Sequence, residues 1–267
     1  MNFPWIVPAA VARTLIGDGA LVLDGRKDEL RQRQPLPGAV PLAWHRLTHA
    51  ELPDKGRLLD DDRRLGEILG AIGVRDDVAV VVVGDALDGG GEDGRLVWAL
   101  RSLGHGRVAF VDGGIRALLT EGPLSIPPQA RPGAFQVART DRWEAGRDQL
   151  RAAIGTATII LDTREEREYR GATPYGETRG GHVPGARHLW YRDLLDAEGK
   201  VLAGQSLADR LAGLGIAAGS EIIAYCTGGV RAGFVTAVLT QAGYRARNYA
   251  GSMWHWAAGD AQSFPLG

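Results

Sequence analysis

The two halves of the chain carry the same short phrases in the same order. Leu21 to Arg26 reads LVLDGR and Ile159 to Arg164 reads IILDTR, so Asp162 follows Asp24 by 138 residues. The later matches pair Pro37-Gly38-Ala39 with Pro184-Gly185-Ala186, Val80 to Asp85 with Ile222 to Cys226, Leu103-Gly104 with Ala242-Gly243, and Asp112-Gly113 with Ala250-Gly251. A spacing of this size is the length of a domain and not the period of a solenoid. The order of the matches therefore predicts a tandem repeat of two similar domains.

Each half also alternates runs typical of strands with runs typical of helices. The predicted elements are Val78–Gly84, Arg95–Leu103, Val108–Val111 and Ile115–Leu119 in the first half, then Glu221–Tyr225, Ala232–Ala242, Ala246–Tyr249 and Met253–Ala258 in the second. Such alternation indicates βαβ units on a mostly parallel sheet. We therefore expect an α/β fold of two domains, each a mostly parallel sheet flanked by helices.

A proline-rich stretch separates the two halves. Prolines at 123, 127, 128 and 132 favour an extended tether between them. We expect an N-terminal domain at residues 1–122, a linker at 123–135 and a C-terminal domain at 136–267.

The single cysteine of the chain occupies a distinctive position. Cys226 follows the apolar run Ile222–Tyr225 and precedes a glycine-bearing turn that opens a helical pattern. Backbone amides of such a turn, and the positive end of the next helix dipole, favour a thiolate. Arg231 adds a cation with forked donors for an anion. A free cysteine is often only a buried small hydrophobe, but a core cysteine requires neither two glycines nor an arginine directly after it.

The segment Cys226–Arg231, CTGGVR, resembles the six-residue active-site loop of rhodaneses, the sulfurtransferases that carry a persulfide on cysteine. Related phosphatase loops place the arginine one residue farther from the cysteine. Almost the whole chain resembles the tandem-domain rhodaneses, through the phrases Leu161–Arg164, Tyr169–Gly171, Gly181–Ala186 and Gly251-Ser252. The resemblance implies a catalytic C-terminal domain and a catalytically silent N-terminal one. In the repeat, Asp85 stands at the position of Cys226, and a carboxylate cannot accept a sulfane sulfur.

The resemblance also implies roles for single residues. Cys226 is the expected nucleophile, and the amides of Thr227, Gly228, Gly229 and Val230, together with Arg231, are expected to hold the anionic persulfide. Arg170 and Arg179 fall where relatives keep substrate-binding arginines. The residue-level alternative for these two is that they are solvated loop arginines.

Composition limits the partners. With 31 basic and 32 acidic residues, the net charge of −1 gives no electrostatic case for nucleic acid or a membrane. One cysteine excludes an internal disulfide framework, and the first residues lack the pattern of a secretory signal, so we expect a cytoplasmic protein. The histidines follow no metal-ligand spacing. We expect neither a metal nor a cofactor.

The sequence thus predicts a sulfurtransferase that moves a sulfane sulfur from thiosulfate, a small anionic donor, to cyanide or a thiol. A cation at Arg231 suits a dianionic donor. Three alternatives stay open: transfer from 3-mercaptopyruvate, a non-catalytic persulfide carrier module, and a small-anion phosphatase or arsenate reductase.

Overall fold

The structure is a computed structural model, and it describes residues 3–120, 122–127 and 132–267. The predicted linker at 123–135 lies only partly within these ranges, because residues 128–131 fall outside them. Farther on, the chain runs along the first half: Gly133 donates to the Gly70 carbonyl (2.9 Å) and Thr140 to that of Ser102 (2.9 Å). In the described ranges, no helix has the length and apolar character needed to cross a membrane.

The first half forms a five-stranded parallel sheet in the order β1-β5-β4-β2-β3. Its strands are β1 (Ile6–Val7), β2 (Leu21–Asp24), β3 (Val40–Pro41), β4 (Val80–Val83) and β5 (Val108–Val111). Its helices are α1 (Ala9–Gly17), α2 (Asp28–Arg33), α3 (Asp62–Ala71), α4 (Glu92–Ser102) and α5 (Gly114–Thr120), with a 3₁₀ turn at Trp44–Leu47. Strands β2, β4 and β5 are buried along their whole length, as expected where helices cover both faces of a parallel sheet.

The second half forms a four-stranded parallel sheet in the order β7-β6-β8-β9. Its strands are β6 (Ile159–Asp162), β7 (Arg187–His188), β8 (Glu221–Tyr225) and β9 (Arg245–Asn248). Its helices are α6 (Arg147–Ala153), α7 (Glu166–Tyr169), α8 (Gly204–Ala212), α9 (Val230–Gln241) and α10 (Ser252–Ala257), with a 3₁₀ turn at Tyr191–Leu194. The predicted α/β class with two mostly parallel sheets is confirmed.

The repeated phrase Asp-x-Arg forms the same buried ion pair in both halves. Arg26 Nη2 lies 2.7 Å from Asp24 Oδ2, and Arg164 Nη2 lies 2.6 Å from Asp162 Oδ2. In both pairs the aspartate is the last residue of a strand, β2 or β6, and the arginine lies two residues beyond it. Each arginine also donates to a distant carbonyl, that of Gln34 or Gly181. The pairs satisfy charges that would otherwise be costly to bury.

Strand register corrects one detail of the predicted repeat. Asp24 pairs with Val83, and Asp162 pairs with Tyr225, so the residue after Val83 matches the residue after Tyr225. That residue is Gly84. Its carbonyl accepts from the Ile115 amide (2.9 Å), as the Cys226 carbonyl accepts from the Met253 amide (3.0 Å). The prediction that Asp85 occupies the place of Cys226 is therefore wrong by one residue.

Helices α4 and α9 join the two halves. Gly94 and Gly233 lie where the helices meet: a Cβ on Gly94 would approach Phe234 Cα to 2.5 Å, and one on Gly233 would approach Arg95 Cα to 3.1 Å. Phe234 is 1% exposed, and its ring centroid lies 5.4 Å from that of Phe110 in the first sheet. Burying a phenylalanine side chain is worth about 1.5–3 kcal/mol, so this contact is a substantial part of the attachment between the halves.

A buried aspartate at the start of α4 predicts a pH-dependent stability. Burial raises the pKa of Asp93 to about 7, and the neighbouring Glu92 adds to the rise. Because the folded pKa exceeds the unfolded value, this group favours the folded state at low pH, and that contribution is lost as the pH rises from about 4 to about 7. We expect Asp93→Asn to raise the free energy of unfolding at pH 8 by at least about 1 kcal/mol, with little change at pH 4.

Urea unfolding at the two pH values measures this effect. Asp76→Asn, at an exposed aspartate, is the matched control and should change neither value. An Asp93→Asn variant that is less stable than the unsubstituted protein at pH 8 would show that the carboxylate is ionised and satisfied there.

Candidate active site

Cys226 lies at the carboxyl edge of the second sheet, directly after β8. It lines a cavity between the two halves, and the residue is only 1% exposed. Gly229 has a φ of +77° and is the residue before α9, whose first turn begins at Val230. Its amide donates to Cys226 Sγ at 3.1 Å. The sulfur therefore lies at the positive end of α9, inside a turn that the sequence predicted.

The glycines of the loop are required by close approaches. A Cβ on Gly228 would collide with the Trp254 ring, and one on Gly229 would lie 2.6 Å from the Ala250 carbonyl oxygen. Within the described residues, the amides of Thr227 and Gly228 have no hydrogen-bond acceptor. The amides in the first turn of α9 also lack an intrahelical acceptor, because no helical carbonyl precedes them. These donors are available to an anion above the sulfur.

Ser252 holds the loop from behind. Its Oγ accepts from the Cys226 amide (3.0 Å), donates to the Tyr249 carbonyl (2.8 Å) and lies 4.0 Å from Cys226 Sγ. Its φ of +49° is the only positive value at a non-glycine among the described residues. A side chain held in this region is under backbone strain, which occurs often at functional sites.

A buried acid, Glu168 of α7, binds both ends of the loop. Arg231 donates to both of its oxygens, at 2.6 and 2.8 Å, and the Thr227 hydroxyl donates to Oε1 at 2.8 Å. Burial alone would raise the pKa of Glu168, but the Arg231 and Thr227 hydrogen bonds hold it below its ordinary value. Burial would likewise lower the pKa of Arg231, yet Glu168 and the Cys226 sulfur raise it. The pair is ionised, and the charge of Arg231 is opposed by a carboxylate.

The other two predicted arginines lie away from the sulfur. Arg170 has a side chain that is 74% exposed, and it pairs with Glu166 one turn earlier (2.6 Å). Arg179 donates to the carbonyls of Ala257 (2.9 Å), Gly259 (3.0 Å) and Phe264 (2.9 Å). Neither of them lines the cavity, whereas Thr227, Gly228, Val230 and Arg231 do. The structure thus brings the predicted loop residues together and gives the two upstream arginines other partners.

The cavity has a volume of about 510 Å³ and is lined by both halves. Its aromatic walls are Trp44, Tyr175, Trp190, Tyr191 and Trp254, and its charged groups besides Arg231 are Lys27, Asp88, Glu92, Glu165 and Arg192. Lys27 Nζ lies 3.7 Å from Glu92 Oε1. Arg192, in the second half, donates to the Leu87 carbonyl of the first half (2.6 Å). The first half therefore forms part of the wall of the cavity that contains Cys226.

Sequence reasoning missed Glu168, Arg192 and Lys27. Glu168 lies in the charged run Arg164–Arg170, which is typical of a solvated surface. Its only sequence signal is its place immediately before the Tyr169–Gly171 phrase. Lys27 directly follows the Asp24–Arg26 phrase of the first half, for which the resemblance implies no catalytic role.

Comparisons with known proteins find similar sequences and similar folds. The Rhodanese-like domain family matches residues 146–259. The thiosulfate sulfurtransferase of Azotobacter vinelandii is 31% identical over 242 residues, which are 89% of this chain and 81% of that protein. A probable 3-mercaptopyruvate sulfurtransferase of Pseudomonas aeruginosa is 32% identical and covers 74% of this chain and 71% of its own. The crystal structure of the Tum1 protein from Saccharomyces cerevisiae superposes with a TM-score of 0.78 at 18% identity, over 96% of this chain and 95% of its own.

Proposed function

The chain belongs to the rhodanese family of sulfurtransferases, and from that premise we propose that it transfers a sulfane sulfur from thiosulfate to cyanide or a thiol through a persulfide on Cys226. One observation carries the proposal. Cys226 lines the cavity, its Sγ accepts from the Gly229 amide at 3.1 Å, and the neighbouring Thr227 and Gly228 amides have no acceptor within the described residues.

The reaction has two displacement steps. The Cys226 thiolate attacks the outer sulfur of thiosulfate, the sulfur–sulfur bond breaks, and sulfite leaves with the electron pair. Cys226 keeps the transferred sulfur as a persulfide anion. An acceptor such as cyanide then attacks the outer persulfide sulfur, thiocyanate leaves, and the thiolate is restored. A single protein sulfur is sufficient for both steps.

The loop amides stabilise the anion in both steps. Donors already fixed by the backbone need no reorganisation when charge arrives at the outer sulfur. The buried Glu168–Arg231 pair fixes the loop from the side, and Ser252 fixes it from behind. In this proposal the N-terminal domain is catalytically silent, because Gly84 stands at the position of Cys226 and provides no nucleophile.

A second donor, 3-mercaptopyruvate, is favoured by one specific observation. Glu168 opposes the charge of Arg231, so the loop end offers less net positive charge to a dianion than the sequence alone predicted. A monoanionic carboxylate donor is more compatible with a neutral pair. Thiosulfate is supported by the Azotobacter vinelandii thiosulfate sulfurtransferase, which covers more of this chain (89%) than the 3-mercaptopyruvate relative does (74%).

Steady-state measurement of kcat/KM with each donor, using cyanide as the acceptor, tests the proposal. We expect turnover with thiosulfate above that with 3-mercaptopyruvate, and no release of phosphate from an aryl phosphate. Turnover with 3-mercaptopyruvate alone would select the second donor. Loading of Cys226 only by a partner protein would select a carrier module, and phosphate release would contradict sulfur transfer.

A further inference from the structure

A buried arginine from the first domain reaches the active-site loop. Arg95, on α4, is 1% exposed. Its Nη1 donates to the Gly229 carbonyl at 3.2 Å, and its Nη2 donates to the Gly56 carbonyl. Its guanidinium stacks over the Trp98 ring, 4.4 Å from the centroid. Gly233 has no side chain and so leaves room for the Arg95 side chain, since a Cβ there would lie 3.2 Å from Arg95 Cδ.

Arg95 differs from Arg231 in its charge balance. Within the described residues no carboxylate lies within ion-pair distance of Arg95, whereas Arg231 has Glu168. Burial lowers the pKa of Arg95 to about 10, and the charges of Glu144 and of the Cys226 sulfur oppose that fall. The guanidinium therefore stays charged at neutral pH. Glu144 is the nearby acid, and Cys226 is the nearby group that becomes an anion during the reaction.

The contact is made at Gly229, whose amide binds the sulfur. The Gly229 carbonyl accepts from Arg95, from Asn248 Nδ2 (3.1 Å) and from the Gly233 amide (3.0 Å). Fixing this carbonyl restricts the orientation of Gly229, whose amide nitrogen lies 3.1 Å from Cys226 Sγ and donates to it. Arg95 is thus connected to the sulfur through Gly229, and its charge is buried beside the active-site loop.

We propose that Arg95 of the first domain is a positioning residue that favours the anionic forms of Cys226, both thiolate and persulfide. The proposal deepens the proposed function, because it gives the silent domain a part in the reaction. Removing the buried cation should disfavour the anion and misplace the Gly229 amide.

The helix offers a matched control in Arg101. Arg101 is also buried (6% exposed), stacks over Trp5 at 4.5 Å, and donates to the carbonyls of Phe3, Pro4 and Val108. It lies six residues along α4 from Arg95, or about 9 Å. Loss of either arginine removes a similar buried contact, but only Arg95 faces the loop.

The test is the pH profile of alkylation of Cys226 by iodoacetamide, which requires no sulfur transfer. In Arg95→Met we expect the profile to shift upward by roughly one pH unit, and kcat/KM for thiosulfate at pH 7 to fall at least about tenfold. Arg95→Lys should shift the alkylation profile much less than Arg95→Met, and Arg95→Gln should shift it by a similar amount to Arg95→Met. Arg101→Met should leave the profile unchanged. An unshifted profile in Arg95→Met, or an equal shift in Arg101→Met, would overturn the proposal.

A measurement on the unsubstituted protein applies even where a variant fails to fold. Loading Cys226 with sulfur should slow amide hydrogen exchange near Gly56 and at the start of α4, because the persulfide anion strengthens the hold of Arg95 on the loop. Unchanged exchange there after complete loading would contradict the proposal. If thiosulfate neither loads nor turns over, the proposed function fails, while the alkylation profile still decides the role of Arg95.

Discussion

Cys226→Ser is expected to reduce sulfur transfer from thiosulfate to cyanide to the background rate, at least about 10³-fold below the unsubstituted protein. A serine oxygen does not form a persulfide, and no other cysteine exists in the chain to replace it. The assay is thiocyanate formation at saturating thiosulfate and cyanide.

The fold of this variant should be intact, which makes the loss interpretable. Serine is close to cysteine in size, and we expect its oxygen to accept from the Gly229 amide, which donates to the sulfur in the unsubstituted protein. We expect circular dichroism and the midpoint of thermal unfolding to stay near those of the unsubstituted protein. Turnover above a few per cent in a correctly folded Cys226→Ser protein would eliminate the cysteine mechanism.

Arg231→Met is expected to have the second-largest effect, on both stability and activity. It leaves Glu168, whose side chain is 0% exposed, as an unpaired buried carboxylate. Breaking a buried pair by removing one partner costs about 3–5 kcal/mol. Because the pair fixes the loop, kcat/KM should fall at least about tenfold, and by similar factors, for thiosulfate and 3-mercaptopyruvate.

Two controls separate this structural role from donor recognition. Arg170→Met breaks the exposed pair with Glu166 and should leave both stability and activity nearly unchanged. A double variant, Arg231→Met with Glu168→Met, should recover part of the lost stability, because no buried charge is left unpaired. A loss confined to thiosulfate in Arg231→Met would show instead that Arg231 reads the charge of the donor.

Regular elements were predictable where the local pattern decides them. The run Glu221–Tyr225 was predicted as a strand, and β8 has the same bounds. A short run with β-branched and aromatic residues, bounded by turn residues, favours a strand. Helix α9 begins at Val230, two residues before the predicted Ala232. Gly229 ends the turn with a positive φ, so the first helical turn includes loop residues that the apolar pattern does not mark.

The presence of two mostly parallel sheets was predictable from the sequence, but the register that relates them was not. The connection from β4 to α4 runs from Gly84 to Gly91, whereas that from β8 to α9 runs only from Cys226 to Gly229. The stretch before the strand also differs, since Gly84 follows Asp24 by 60 residues and Cys226 follows Asp162 by 64, so counting from the earlier phrase does not locate the matching residue. Backbone hydrogen bonds of Gly84 and Cys226 resolve the shift, and they depend on tertiary structure.

The side chains that support the loop were beyond local patterns. Glu168 reaches Arg231 over 63 residues of sequence, and Arg95 reaches Gly229 over 134. In the sequence, Glu168 and Arg95 are charged residues within runs that predict helices, and such residues are usually exposed to solvent. Only the packing of α7 and α4 against the Cys226 loop buries them.

Intact-protein mass spectrometry after incubation with thiosulfate tests the central claim most directly. We predict a single adduct of about 32 Da, one sulfur atom, on Cys226. Cyanide should remove it with release of thiocyanate, and Cys226→Ser should not acquire it. Absence of this adduct in a folded protein with excess thiosulfate, or an adduct that persists in Cys226→Ser, would contradict persulfide transfer through Cys226.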